Sequence, residues 1–177
     1  IVGLVAALLT GVGEFILHYD ALARFGSENL FFLRISAKRT TVGHFVAVLG
    51  APLYLVGCWH IYLMLKPANQ SWALASFLIM SYGFLVGIVC IGSRASLSAL
   101  INATPTPEIE QLIALYDLRY ESLLQVIRLA VLLLSGVIVW LAMSGQSHYP
   151  QWMAMFNPIV LIAASFVVYL VAPSIGK

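Results

Sequence analysis

Asp117-Leu-Arg-Tyr-Glu-Ser-Leu-Leu-Gln-Val-Ile-Arg-Leu-Ala-Val-Leu-Leu-Leu-Ser-Gly136 decides the fold. The stretch runs into an apolar segment long enough to cross a membrane, yet it carries Asp117, Glu121, Gln125 and Arg128. On a helix that spacing puts the four on one polar stripe. Ionisable groups facing lipid are costly, so the stripe is expected to face protein or a water-filled cavity. The rest of the chain then reads as the wall of that cavity.

Composition points the same way. Of 177 residues, 62% are hydrophobic and 9% charged, whereas soluble domains carry about 25% charged residues. The expected class is all-α: one polytopic transmembrane helix bundle filling residues 1–177. A formal net charge of +2 without a basic block argues against nucleic-acid binding. Cys58 and Cys90 both lie in apolar runs and read as buried free thiols rather than a disulfide.

Outward from residue 117, five spans are expected, near 1–19, 42–65, 72–92, 122–143 and 152–172. Each approaches the ~20 residues that cross the hydrocarbon, and helices satisfy the backbone there. Glu14 and the lack of a basic leader make the first run a mature span rather than a signal peptide. Lys66 to Ser71 is a tight turn, and Ser144 to Gln151 is a short link with Gly145 and Pro150 as breakers. The connection 20–41 is long, and its apolar centre, Asn29 to Ile35, is too short to span. An interfacial segment over about 21–40 is expected. Pro105, Pro107 and Glu108 favour a helix start, so the fourth helix is expected to extend from about 108. Pro52, Pro158 and Pro173 are expected to kink or end helices. Residues missing at one or both ends, and a sixth span in the full protein, are also expected.

Lys66 falls on the face of the N-terminus, while Arg24, Arg34, Lys38, Arg39, Arg94, Arg119 and Lys177 fall on the opposite one. The positive-inside rule makes that second face cytoplasmic, with loop 20–41 inside.

Counting depth at 1.5 Å per residue gathers the polar groups in the cytoplasmic half. Glu14 and His18 share one face of the first span, His44 opens the second, and Arg94 follows the third. Gly83 and Gly87 continue the face of Arg94 and suggest close helix approach, as do Gly3, Gly11 and Gly13. Arg128 counts to the depth of Glu14, so the two are expected to pair or share water. His60 reads as a packing or interface residue.

Several chemistries fit this set. Glu14, His18 and His44 are candidate acid–base residues on a lipid-soluble substrate. They are also candidate zinc ligands, with Asp117 or Glu121 completing the set or an open position holding water. His18 and His44 at one level also allow haem, the weaker alternative, and the cofactor stays unassigned. Arg94, Glu121, Gln125 and Arg128 are candidate substrate-binding residues. The leading function is handling of a lipid or other hydrophobic small molecule, with enzymatic activity open. A proton- or ion-coupled transporter or channel is one alternative. An accessory subunit of a membrane complex is another. Membrane lipids are the expected partners, together with a second copy of the chain or a membrane-complex partner.

Glu14-x-x-x-His18 resembles half of the histidine motifs of membrane metallohydrolases such as the alkaline ceramidases, but the Ser, Asp and paired His of that pattern are not matched. A wider resemblance rests on Gly13-Glu14 with His18-Tyr19-Asp20, on Gly50 to Gly57 with Trp59-His60, and on Tyr149 to Trp152 with Phe156-Asn157-Pro158. These patches are similar to a family of uncharacterised bacterial multi-pass proteins. The resemblance implies an inner-membrane helical protein and supplies no substrate or site.

Overall fold

The computed structural model describes residues 1–19, 32, 33 and 35–171, without the side chain of Tyr169. Most of the interfacial segment expected over 21–40 lies outside the described residues, as do Arg24, Arg34, Pro173 and Lys177.

The chain is all-helical, with no strand among the described residues. Its helices are α1 (Val2–His18), α2 (Ala37–Leu65), α3 (Gln70–Ile101), α4 (Pro107–Met143) and α5 (Pro158–Val171), with a 3-10 segment over Gln151–Phe156. Polar side chains set the starts of four of them. Ser36 Oγ accepts from the Arg39 amide at 3.2 Å, and Asn69 Oδ1 accepts from the Trp72 amide at 3.1 Å. Thr106 Oγ1 accepts from the Ile109 amide at 3.3 Å. Asn157 Oδ1 accepts from the amides of Ile159 and Val160 at 3.0 and 3.2 Å. Each satisfies donors that the first turn of a helix leaves open. The fully exposed Glu108 carboxyl is held below its usual range, first by a hydrogen bond from the Thr106 hydroxyl.

α2, α3 and α4, of 29, 32 and 37 residues, are long and apolar enough to cross a membrane. α1 and the described part of α5 are shorter apolar helices. Three such helices stand where five spans are expected. The main correction falls on 152–172. Residues 151–156 form a 3-10 segment, and Asn157 with Pro158 starts a new helix of 14 residues. Proline at the first helical position suits that start. Pro52, by contrast, sits inside α2 without ending it. α3 runs nine residues past the expected end at 92, to Ile101. Of the connections expected at 66–71 and 144–151, residues 66–69 and 144–150 lie between helical elements, and Gly145 takes a φ of 71°, which suits glycine.

The described residues fall into two compact units, one of 1–56 with 84–127 and the other of 57–83 with 128–177. In the second, Tyr62, Leu65, Ala73 and Leu141 form one buried cluster, and Cys58, Met80 and Leu134 another. The Met64 carbonyl accepts from the His148 amide at 2.9 Å and ties the 144–150 link to the end of α2.

In the first unit, α1 and α2 meet backbone to backbone. A Cβ on Gly13 would lie 2.7 Å from both the Gly43 oxygen and the Ala47 Cβ. A Cβ on Gly43 would lie 2.9 Å from the Gly13 oxygen, and one on Gly50 would lie 2.9 Å from the Ala6 oxygen. Thr10 Oγ1 donates to the Ala47 carbonyl at 3.4 Å across the same seam. Small residues three and four apart permit this approach. Arg39, in the first turn of α2, donates Nε to the Ile16 carbonyl at 2.7 Å and Nη2 to the Tyr19 carbonyl. A cation at a helix C-terminus is favourable, so Arg39 closes α1. The close contact expected through Gly87 is absent: a Cβ there, or on Gly11, would meet nothing within 4 Å.

Opposite effects are expected from two alanines. Gly11→Ala is expected to raise stability in micelles by up to ~1 kcal/mol through helix propensity. Gly13→Ala is expected to lower it by about 1–3 kcal/mol through overpacking. Thermal unfolding checks both, and equal midpoints would contradict the seam.

Candidate functional site

The first unit gathers polar chemistry at the end where α1 and α3 finish and α2 and α4 begin. Its apolar base is a buried cluster of Leu17, Phe32, Ala47, Ile91 and Leu97, with Ile113 and Tyr116 of α4 packed on it. Phe32, from the connection between α1 and α2, is fully buried. Asn102 near the end of α3 donates Nδ2 to the Phe32 carbonyl at 2.7 Å and to the Ser98 carbonyl at 2.8 Å. The His18 ring centre lies 5.7 Å from that of Phe32. The Arg94 guanidinium lies over the Phe32 ring at 5.4 Å and over the Tyr120 ring at 4.2 Å. Cation–π contacts of this kind hold a guanidinium against an apolar wall.

Glu14 and His18 are neighbours, as one helical turn requires. His18 Nδ1 is 3.0 Å from the Glu14 carbonyl, to which it donates, and 3.9 Å from Glu14 Oε2. Donation from Nδ1 places the neutral ring's acceptor at Nε2. Arg94 acts electrostatically on both residues. The expected pairing of Glu14 with Arg128 joins residues of two different units and stands as a proposal. Glu121 Oε1 accepts from Gln125 Nε2 at 2.8 Å, so two candidate binding residues on α4 satisfy each other. Arg128, on the same helix, belongs to the second unit, as does the exposed His60.

His44 stands apart from Glu14. It lines a cavity of roughly 530 Å³ between the first turns of α2 and the last turns of α3. Thr40, Thr41, Ser96, Ser98 and Asn102 supply the rest of its polar wall. Ile35, Phe45, Ala95 and Ala99 supply apolar wall. Thr40 Oγ1 and Ser98 Oγ lie 3.3 Å apart and tie α2 to α3 beneath it. Glu14 lines a second cavity, of roughly 140 Å³, with Thr10, Tyr54 and Phe84. Tyr54 and Phe84 stack there with ring centres 4.0 Å apart.

Among the described residues, Glu14 and His44 line different cavities. Among the described residues no three His, Cys, Asp or Glu side chains are grouped to hold a metal ion, so the ligand set Glu14, His18 and His44 is not assembled. Phe32, Asn102 and the hydroxyls of the larger cavity were not expected as site residues. The signal that marks the cavity is the density of small polar residues in Thr40-Thr41 and in Ser93, Ser96 and Ser98, one stretch on each wall.

Phe32→Ala is expected to cost about 3 kcal/mol or more, the scale of an emptied aromatic core site. Denaturant unfolding in micelles checks it, and a loss under ~1 kcal/mol would mean that the ring is not part of the packed base.

A family model described as "Family of unknown function (DUF6796)" matches residues 1–176. No curated protein and no solved structure matches the chain. With the match covering nearly the whole sequence, the chain belongs to this family of unknown function.

Proposed function

We propose that this is an integral membrane protein that binds a lipid or other amphipathic small molecule in the cavity between the start of α2 and the end of α3. The observation that carries the proposal is the cavity itself. Its volume of roughly 530 Å³ lies within the ~300–1,000 Å³ of small-molecule sites. Its wall is largely apolar, with hydrogen-bonding side chains on half of its lining residues, as an amphiphile requires. Its level also fits. α2 and α3 are about 43 and 48 Å long at 1.5 Å per residue, against a hydrocarbon core of ~30 Å. Their ends therefore reach headgroup level, and the cavity lies between those ends.

The location is proposed from charge. Lys38, Arg39, Arg94 and Arg119 sit at this end, against Lys66 at the other. That asymmetry supports placing the cavity and loop 20–41 on the cytoplasmic side of a bacterial inner membrane, with α1 and α5 as further membrane helices.

Binding is better supported than catalysis. The Glu14 carboxylate lies 3.9 Å from the His18 ring nitrogen, beyond hydrogen-bond reach, and Glu14 opens on the smaller cavity while His44 opens on the larger. A reaction would need both sets around one substrate.

Filling the cavity tests the reading. Ala99 is exposed on its wall, so Ala99→Phe adds a ring there without disturbing the buried base. Mass spectrometry of lipids carried through purification is expected to show one species enriched over bulk membrane in the wild type and lost in Ala99→Phe. The same lipid profile in both proteins would contradict it.

A further inference from the structure

The wall's hydrogens are largely spent on the protein. Thr41 Oγ1 donates to the Ala37 carbonyl at 2.8 Å, and Ser96 Oγ donates to the Gly92 carbonyl at 3.1 Å. A hydroxyl that donates its hydrogen inside its own helix keeps its lone pairs for a ligand. Asn102 spends Nδ2 on two backbone carbonyls. His44 supplies the opposite polarity. Its Nδ1 is buried and without a hydrogen-bond partner. Of the two neutral tautomers, the one with hydrogen on Nε2 leaves Nδ1 as a bare acceptor instead of an orphaned donor, the less costly arrangement. Nε2–H is then the ring's donor. None of the described residues lining the cavity carries a formal acid or a Lys or Arg side chain.

We propose that the cavity selects an uncharged amphiphile whose head carries hydroxyl groups, a diacylglycerol-like molecule being the simplest case. This rests on reading the cavity as a ligand site. A hydroxyl both donates and accepts, so one group satisfies a Thr41 or Ser96 lone pair and the His44 Nε2–H. A phosphate head presents acceptors to acceptors and gives up its hydration for no counter-charge on the described wall. An ammonium meets the lone pairs but no carboxylate. The apolar half of the wall, with Ile35 and Phe45, favours a head still attached to its chains over a free polyol.

The test uses the full chain in phosphatidylcholine nanodiscs, with dioleoylglycerol, trioleoylglycerol, dioleoylphosphatidic acid, oleylamine or free glycerol as probe, read by native mass spectrometry. Dioleoylglycerol is expected to be retained best and to be lost in Ala99→Phe. Thr41→Val and Ser96→Ala, which leave the helices intact, are each expected to weaken it about three- to tenfold, the scale of one hydrogen bond. Equal retention of trioleoylglycerol, which has no hydroxyl, would overturn the proposal. So would stronger retention of the phosphatidic acid, the amine or glycerol. If Ala99→Phe still blocks such a probe, the cavity remains the site and only the class of ligand is wrong. If Ala99→Phe changes no probe, the site itself is wrong.

Discussion

Backbone contact between α1 and α2 is the constraint on which the first unit depends. Lipid tails are as apolar as leucine, so in a bilayer helices gain little by hiding apolar surface from each other. What remains is close packing and hydrogen bonding, and the seam through Gly13, Gly43 and Gly50 provides both. Arg39 fixes the end of the seam by closing the last carbonyls of α1. With α1 held there, Leu17 joins the buried base and His18 reaches Phe32. A side chain on Gly13 would push against backbone, which has no rotamer to yield.

The same economy governs the polar groups. Thr41, Ser93, Ser96 and Ser122 each donate to the carbonyl four residues earlier. A hydroxyl satisfied in this way sits in an apolar helix at small cost while still offering an acceptor outward. Arg94 is accommodated by aromatic faces of Phe32 and Tyr120. Several hydroxyls at the polar end of the unit are therefore satisfied by their own helices, and the cavity takes its character from the capacity they have left.

Much of the fold was legible in the sequence because its signals are local. Pro107 and Glu108 mark the start of α4, and Lys66 to Ser71 and Gly145 mark the turns. The break before α5 falls at Pro158, where a kink or helix end is expected; hydropathy alone reads one span across it, and capping by Asn157 makes a new start. The site was less legible. Depth along a helix follows from counting residues, and it places Glu14, His18 and His44 toward one end. Direction around the helix does not follow when apolar residues cover nearly every face, so counting alone leaves open that His44 and Glu14 line different cavities. Phe32 was read as part of an interfacial segment. Only its neighbours in space, Leu97, Arg94 and Asn102, reveal it as buried core.

The most direct measurement is photocrosslinking with a diacylglycerol that carries a diazirine close to its head, followed by peptide mapping of the adducts. The expected result is labelling concentrated on 37–45 of α2 and 92–102 of α3. Labelling spread evenly over the exposed apolar surfaces of α2, α3 and α4, with no excess on those two stretches, would contradict a ligand site between them.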